Sequence, residues 1–342
     1  MKVNVWNTIH QLSKERGLEP RVIVNAIEES LKAASSKYFS HDEKIHVVFK
    51  PEKGDIRVFS KKLIVKQASD LAAEISLDEA KDIDTNAKIG DTIEIDLPSD
   101  TLGRIAAQAA KQVIFQKVRD AEQERVFKLY APRLGDIITA VVRRFESSKN
   151  MILELDKTEI LFPYKEKLPN ESFRRGDRVK VVIKQVFQDT KGPQVIVSRT
   201  DSRFLVKLLE MEIPEIANGN IVIKDIVRQP GERAKVAVLS KEKDIDPIGA
   251  CIGVKGNRIL AISSELQGEK IDVIEWSDNP LVYAKAALNP AKVGKVFILN
   301  KKEQVLQAVV PKGQLSLAIG KKGINVRLAS RLVGWKIEIK ND

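Results

Sequence analysis

Two short stretches in the last third of the chain carry residues suited to holding a phosphate: Gly253-Val254-Lys255-Gly256 and Gly320-Lys321-Lys322-Gly323. In a G-x-x-G loop the glycines let the backbone turn where a Cβ would clash, and they leave room for a sugar-phosphate chain. A helix that starts directly after such a loop offers N–H groups with no intrahelical acceptor, which suits an anion. Lys255, Lys321 and Lys322 add positive charge without demanding a particular base. Such contacts position a strand, and an adjoining groove reads its bases. Taken alone, each loop is equally an ordinary helix–helix turn with solvated lysines. Arg258, Arg327 and Arg331 follow in the next helices and are read either as phosphate contacts or as solvated surface. Ile252, Ile259, Ile319 and Val326 are read as packing residues.

The surroundings of the loops decide between these readings. Ile252–Gly256 aligns with Ile319–Gly323 at an offset of 67, and Gly268–Val273 aligns with Gly334–Ile339 at an offset of 66. Upstream, each copy predicts a helix and two strands, at 201–211, 219–228 and 233–240 in the first and at 279–288, 292–299 and 304–310 in the second. A short helix, the glycine loop, a second helix and a final strand complete each copy. The order α-β-β-α-α-β occurs twice, which marks an internal repeat. Between Gln304 and Ile337 there is no Asp or Glu, while Lys312, Lys321, Lys322, Arg327, Arg331 and Lys336 are present. The second copy is therefore expected to show a locally positive surface.

Ahead of the repeats, Pro132 and Gly135 mark a boundary. Five strand candidates follow, at 137–145, 151–155, 159–162, 178–186 and 194–198, separated by turn residues such as Arg175-Gly176-Asp177 and Lys191-Gly192-Pro193. So many short strands suit a small closed barrel, with an OB-type barrel leading and an SH3-like barrel also fitting the strand count. Phe145 and Phe162 are candidates for stacking on bases, with Arg143, Arg144, Lys165 and Arg178 near them in sequence; either Phe is also an ordinary barrel-core residue.

The front of the chain reads as an α+β domain. Val5, Ile9 and Leu12 recur at helical spacing, and Pro20 is placed to begin a second helix through Val24, Ile27 and Leu31. Ile45–Phe49 and Ile56–Phe59 predict a hairpin across Lys53-Gly54-Asp55, with further strands at 63–65 and 92–97. Asp100 or Thr101 is expected to cap a long helix reaching about Leu129.

Charge separates the front from the back. Residues 1–130 carry 21 basic and 21 acidic side chains and residues 131–342 carry 37 and 26, so the whole net charge of +11 lies in the back. That excess attracts phosphate backbones, and it also serves plain solubility. The single Cys251 excludes an intrachain disulfide and fits a reducing compartment; next to a glycine loop it reads as a small packed side chain. His10, His41 and His46 lack the companions of a zinc site, and no metal or cofactor is expected. No nucleotide-binding P-loop or nucleophile elbow is present, and no enzyme activity is expected. The longest stretch free of Asp, Glu, Lys and Arg is the eleven residues Val3–Ser13, too short and too polar to span a membrane, and no secretory leader is apparent, so a cytoplasmic protein without membrane association is expected.

Longer stretches carry a family resemblance. They include Gly103-Arg104-Ile105-Ala106, Gly192-Pro193-Gln194-Val195-Ile196-Val197-Ser198-Arg199-Thr200, Val227-Arg228-Gln229-Pro230-Gly231-Glu232-Arg233, Asp246-Pro247-Ile248-Gly249-Ala250-Cys251-Ile252-Gly253 and the run Gln314–Ala329. Through them the chain resembles, over essentially its full length, the NusA family of bacterial transcription elongation, termination and antitermination factors. The resemblance implies a multidomain α+β protein: an N-terminal RNA polymerase-binding domain (1–130), an S1 (OB-fold) barrel (131–200) and two type II KH domains (201–277 and 278–342). It implies RNA polymerase core as partner of residues 1–130, nascent single-stranded RNA as partner of residues 131–342, and other elongation and antitermination factors as further partners of a chain that is monomeric when free. It supports Gly253, Lys255, Gly256, Gly320, Lys321, Lys322 and Gly323 as RNA-loop positions. Val254 stands where many members have Pro, and Lys157-Thr158-Glu159 lacks the glycine-rich turn of many S1 domains. Acidic repeats that follow the second KH domain in some members are absent from this sequence, and control through them is expected to be absent too. The competing function is a ribosome-associated or general single-stranded RNA-binding protein; a third, an RNA-processing enzyme, leaves no segment for a catalytic domain.

Overall fold

A computed structural model of the protein describes residues 45–50, 55–96, 119–188, 190 and 192–342, together with the helical positions 21, 24, 25, 28, 29, 112, 115 and 116. The chain divides into two compact units, Met1–Val126 and Phe127–Asp342. The expected helix around Val5–Leu12, the tip of the first hairpin and the cap at Asp100 or Thr101 lie outside the described residues.

In the first unit Ile45–Lys50 (β1) pairs antiparallel with Asp55–Val65 (β2), matching Ile45 to Ser60 and Lys50 to Asp55. The segments 56–59 and 63–65, expected as separate strands, form one eleven-residue strand. Its far half is held on both sides, by Glu74–Ser76 (β3) in parallel and by Thr92–Asp96 (β4) antiparallel. Helix Leu77–Ile83 (α1) is absent from the expectations above, although its start is written in Ser76-Leu77-Asp78-Glu79. The Ser76 hydroxyl accepts from the Glu79 N–H and the Glu79 carboxylate accepts from the Ser76 N–H and hydroxyl, a reciprocal cap that holds the Glu79 carboxyl below the usual carboxylate range. Ile64, Ile75, Ala80 and Ile93 make a small core. Residues 119–130 (α2) are helical, as the exit-helix periodicity predicts.

The second unit begins within that helix. Tyr130 is fully buried, with its hydroxyl 3.5 Å from the Leu155 carbonyl oxygen. After the turn at Gly135 (φ +88°), five strands close into a barrel: Ile137–Phe145 (β5), Met151–Leu155 (β6), Thr158–Phe162 (β7), Arg178–Val186 (β8) and Val195–Ser198 (β9). Their order around the wall is β5-β6-β7-β9-β8, with β8 returning antiparallel to β5 and β7 running parallel to β9. This is the OB-type order, and it settles the choice that strand count left open. Along β5 the alternate residues Ile138, Ala140 and Val142 are buried, as a half-buried strand demands.

Both repeats fold as read. The first runs Ser202–Glu212 (α3), a short Pro214–Ala217 (α4), Ile221–Gln229 (β10), Arg233–Ser240 (β11), Pro247–Ile252 (α5), Asn257–Glu265 (α6) and Lys270–Glu275 (β12). The second runs Pro280–Ala287 (α7), Lys295–Asn300 (β13), Val305–Val310 (β14), Leu315–Ile319 (α8), Ile324–Val333 (α9) and Lys336–Asn341 (β15). In each three-stranded sheet the first two strands are antiparallel and the third is parallel to the second.

Packing joins the three parts of this unit. Leu168 and Val182 of the barrel share a core with Phe204, Leu205 and Leu208 of α3. Val227, Ala237 and Ile274 of the first sheet share another with Ile324, Leu328 and Leu332 of α9. Buried charges fasten the same joints. Arg199 bonds Glu171 at 2.6 Å and Glu265 at 2.9 Å, and it donates to the carbonyls of Lys180 and Glu265. Burial pushes the Glu171 carboxyl above the usual range despite this partner. Arg228 makes a two-pronged bond to Glu269, at 2.6 and 2.8 Å, and donates to the carbonyls of Arg199 and Asp201. Lys235 is fully enclosed, bonded to Asp272 and the Asn289 carbonyl at 2.8 Å each, and burial lowers its pKa.

Candidate nucleic-acid interface

The two glycine loops have one backbone. Gly253 (φ 74°, ψ 177°) matches Gly320 (74°, 166°), Lys255 (52°, 25°) matches Lys322 (53°, 27°), and Gly256 (79°, 10°) matches Gly323 (71°, 16°). Lys255 and Lys322 adopt a left-handed conformation uncommon for residues other than Gly. The paired glycines are needed for different reasons. A Cβ on Gly253 would lie 2.5 Å from Asn257 Oδ1, and one on Gly320 would lie 2.8 Å from the Asn325 backbone nitrogen. At Gly323 nothing stands within 4 Å, so only its positive φ calls for glycine.

This contrast is testable. Asn325 cannot yield, because its side-chain amide donates to the carbonyls of Leu288, Leu317 and Ala318. Gly320→Ala is expected to combine that clash with a strained backbone of about 1–3 kcal/mol, whereas Gly323→Ala carries only the left-handed penalty of about 1–2 kcal/mol. Thermal denaturation should rank Gly320→Ala clearly below Gly323→Ala; equal losses would contradict the close approach.

Helix ends add to the anion preference. Helices α3, α5 and α7 each begin under a capping Asp or Asn, namely Asp201, Asp246 and Asn279. The helices that follow the loops, α6 and α9, begin at Gly256 and Gly323 with no side-chain cap and no acid in the first turn. The Gly256 and Asn257 N–H groups close back on the Gly253 and Val254 carbonyls, and those of Gly323 and Ile324 on Gly320 and Lys321, so what each helix start offers an outside anion is its positive dipole end. Lys255, Lys321 and Lys322 are all exposed beside them. Lys321 has Val254 as its counterpart in the first loop, itself 79% exposed, so the second loop presents one more cation than the first.

The arginines separate. Arg327 and Arg331 are exposed, four residues apart on α9. Arg258, expected as an RNA contact, is turned inward: it bonds Glu215 at 2.9 Å and the Ala250 carbonyl, fastening α6 to α4 and α5. Lys336 is tied to Glu338 at 2.7 Å. Cys251 is buried, and burial pushes its thiol up to about 11, which keeps it protonated and inert at neutral pH.

Four residues that the sequence did not single out as site residues join the second loop. Lys321, Lys322 and Ile324 line a cleft of about 360 Å³ together with Asn170 of the barrel and Glu232, Arg233 and Lys270 of the first repeat. Arg233 and Lys270 are register partners on β11 and β12. Arg233 pairs with Asp272 at 3.0 Å, which leaves Lys270, Lys321 and Lys322 as the main cations of the cleft.

The barrel departs further from expectation. Phe162 is in the core against Phe173, ring centroids 6.1 Å apart, and offers no face to a base. The hydrophobic interior of a five-stranded barrel claimed it. Arg143 and Arg144 are engaged by Glu154 on β6 and Glu159 on β7, so their charge is largely matched. Phe145, Lys165 and Arg178 are exposed as expected. Sequence reasoning missed Tyr164, whose half-exposed ring lies 5.8 Å from the Lys149 ammonium and 5.5 Å from that of Lys167. Its position just after β7 and Pro163 was the available signal. Tyr164 and Phe145 both adjoin the 146–150 turn, where Asn150 accepts from the Tyr164 N–H at 3.0 Å and pairs with Glu146 through its carbonyl.

Comparison with known proteins agrees with this architecture. Residues 4–124 match the NusA N-terminal domain, residues 199–276 the NusA-like first KH domain and residues 280–342 the NusA-like second KH domain. The chain is 44% identical over 342 residues to the transcription termination/antitermination protein NusA of Bacillus subtilis (strain 168), covering 100% of this chain and 92% of that one. It is 43% identical to the protein of the same name from Halalkalibacterium halodurans, covering 100% and 89%. With that from Thermus thermophilus it shares 38% identity, covering 97% and 88%. The chain belongs to the NusA family. The two repeats are therefore its first and second KH domains, and the five-stranded barrel between the NusA N-terminal match and the first KH domain is S1-like. KH domains bind nucleic acid by clamping the backbone of about four nucleotides at the G-x-x-G loop, which is the task the uncapped helix ends and exposed lysines suit.

Proposed function

We propose that this NusA-family chain is a transcription factor that modulates pausing, termination and antitermination by holding nascent single-stranded RNA on its barrel and KH domains while its N-terminal domain docks on RNA polymerase core. The observation that carries the RNA half is the pair of matching loops, each set before an uncapped helix and bearing exposed lysines. In this reading Gly253, Lys255, Gly256, Gly320, Lys321, Lys322 and Gly323 hold the backbone, Arg327 and Arg331 support it, and Lys270 with Asn170 extends the path from the second loop along the cleft. On the barrel, Phe145 and Tyr164 offer stacking faces, Tyr164 with Lys149 and Lys167 at its ring, and the exposed Lys165 and Arg178 add positive charge. The polymerase half rests on the family membership and on the neutral charge of residues 1–130 against the net +11 of residues 131–342.

The domains assigned to these tasks are 1–130, 131–200, 201–277 and 278–342; the division of the chain into compact units after Val126 supports a boundary between the first two in this region. The factor acts in the cytoplasm as a monomer, and other elongation or antitermination factors join it on polymerase. No bond is made or broken. Several weak RNA contacts on one body gain avidity, because the first raises the local concentration for the next, and docking on polymerase adds to the same effect. By redirecting RNA as it leaves the enzyme, the factor changes the chance that a hairpin forms and so the lifetime of a pause.

Pause lifetimes measured with the full chain, with residues 1–126 and with residues 127–342, at matched low concentration, test the tether. Only the full chain is expected to shift them. Equal potency of residues 127–342 would refute polymerase docking as the source of activity, and recovery of ribosomes without polymerase in a nuclease-treated pull-down would favour the general RNA-binding alternative.

A further inference from the structure

The second KH sheet exposes the face that its counterpart in the first KH domain has covered. Strand registers define the correspondence. With Lys270 matched to Lys336, the row Val227, Lys235, Asp272 across the first sheet corresponds to Phe297, Gln307, Glu338 across the second. The next row, Asp225, Ala237, Ile274, corresponds to Lys295, Val309, Lys340. In the first domain Val227, Ala237 and Ile274 are 8%, 0% and 1% exposed, packed in one core with residues of α9 from the second domain. In the second domain Phe297 is 48% exposed, Leu299 at the adjoining bulge is 55% exposed, and Lys295 and Lys340 are exposed. A sheet face that seats a helix in one copy stands open in the other.

Charge indicates which helix fits. The first face bears Asp225 where the second bears Lys295, and Ile274 where the second bears Lys340. Glu338 on the second face is tied to Lys336, which leaves Lys295 and Lys340 to set the sign of that face; α9, the helix seated on the first face, contains Arg327 and Arg331 and no acid. A helix for the second face needs the opposite sign: carboxylates flanking an apolar ridge. That requirement excludes α9 of a second copy of this chain. We propose that the outer face of the β13–β15 sheet docks an acidic amphipathic helix of a protein partner, with Phe297 and Leu299 beneath its apolar ridge and Lys295 and Lys340 facing its carboxylates. The mode is helix-on-groove recognition, in which apolar anchors supply affinity and the flanking charges select the partner.

The probe is a helix-stabilised peptide of residues 324–333 carrying Arg327→Glu and Arg331→Glu, which keeps the apolar ridge that already fits the first face and reverses its charge. Fluorescence anisotropy with the full chain should show binding that falls at least tenfold in Phe297→Asp. In the double variant Lys295→Glu/Lys340→Glu the acidic peptide should be lost and the peptide with native Arg327 and Arg331 gained. Phe297 is exposed, so the variant should fold; unchanged affinity for a single-stranded RNA oligomer verifies that and keeps this test separate from the RNA reading. Absence of binding by the wild-type chain, or equal binding by wild type and Phe297→Asp, overturns the proposal. Loss of RNA affinity in Phe297→Asp without peptide binding assigns the face to RNA instead.

Discussion

Changing Lys255, Lys321 and Lys322 together to Asp is expected to remove most of the affinity for single-stranded RNA and leave the fold in place. All three side chains are exposed, and none forms part of a core cluster. Lys255 and Lys322 occupy left-handed backbone, which Asp tolerates better than most residues, so the substitution does not fight the loop. Each lysine that neutralises a phosphate releases a condensed counterion, which contributes about 0.7 to the slope of log affinity against log salt for a single strand. Losing three such contacts should flatten that slope by about 2, and reversed charge at the helix starts should repel the backbone further. Titrating a labelled oligomer at several salt concentrations measures both effects. An unchanged slope would mean the loops do not touch phosphate, whatever happens to affinity at a single salt.

The second large effect concerns the joint between barrel and first KH domain. Glu269→Ala should destabilise the second unit by about 3–5 kcal/mol, because it strands a buried guanidinium. Arg228 would keep only the carbonyls of Arg199 and Asp201, and the Gly231 N–H, which donates to Glu269 at 2.7 Å, would lose its acceptor. A loss of that size is a large share of the stability of an ordinary domain, roughly 5–15 kcal/mol. The double substitution Arg228→Met/Glu269→Leu should cost less than Glu269→Ala alone, since no charge is then left without a partner. Recovery should stay incomplete, because the Arg199 carbonyl loses Arg228 and the Gly231 N–H loses Glu269. Urea unfolding followed through Trp276 and Trp335, both packed against the second core cluster, reads these differences. A Glu269→Ala loss below about 1 kcal/mol would show that water reaches the pair.

Local signals explain what was legible. The repeat, the five barrel strands and the loops each rest on turn chemistry and hydrophobic alternation within a few residues, and those survive folding unchanged. Ser76 and Glu79 announce helix α1, but its seven residues are too few for apolar periodicity to mark it. The merged strand β2 could not be seen, since Ser60-Lys61-Lys62 looks like an interruption until β4 supplies hydrogen-bond partners on the other side. Arg258 and Phe162 failed for a related reason. A basic side chain beside a glycine loop and an aromatic one at the end of a barrel strand look alike whether they face solvent or interior, and only the position of Glu215 and of Phe173 turned them inward.

The chain's order of residues alone determined the doubled α-β-β-α-α-β unit, the barrel, the two glycine loops and the concentration of positive charge behind residue 130. These follow from spacing, backbone preference and charge count, which need no distant partner. Tertiary structure alone decided that the loops share one left-handed backbone, that Lys270 and Asn170 meet Lys321 and Lys322 across domains, and that one KH sheet is covered while its twin is open. Each of those depends on segments far apart in the chain arriving at the same place, and a periodicity read along one segment carries no record of what packs against it.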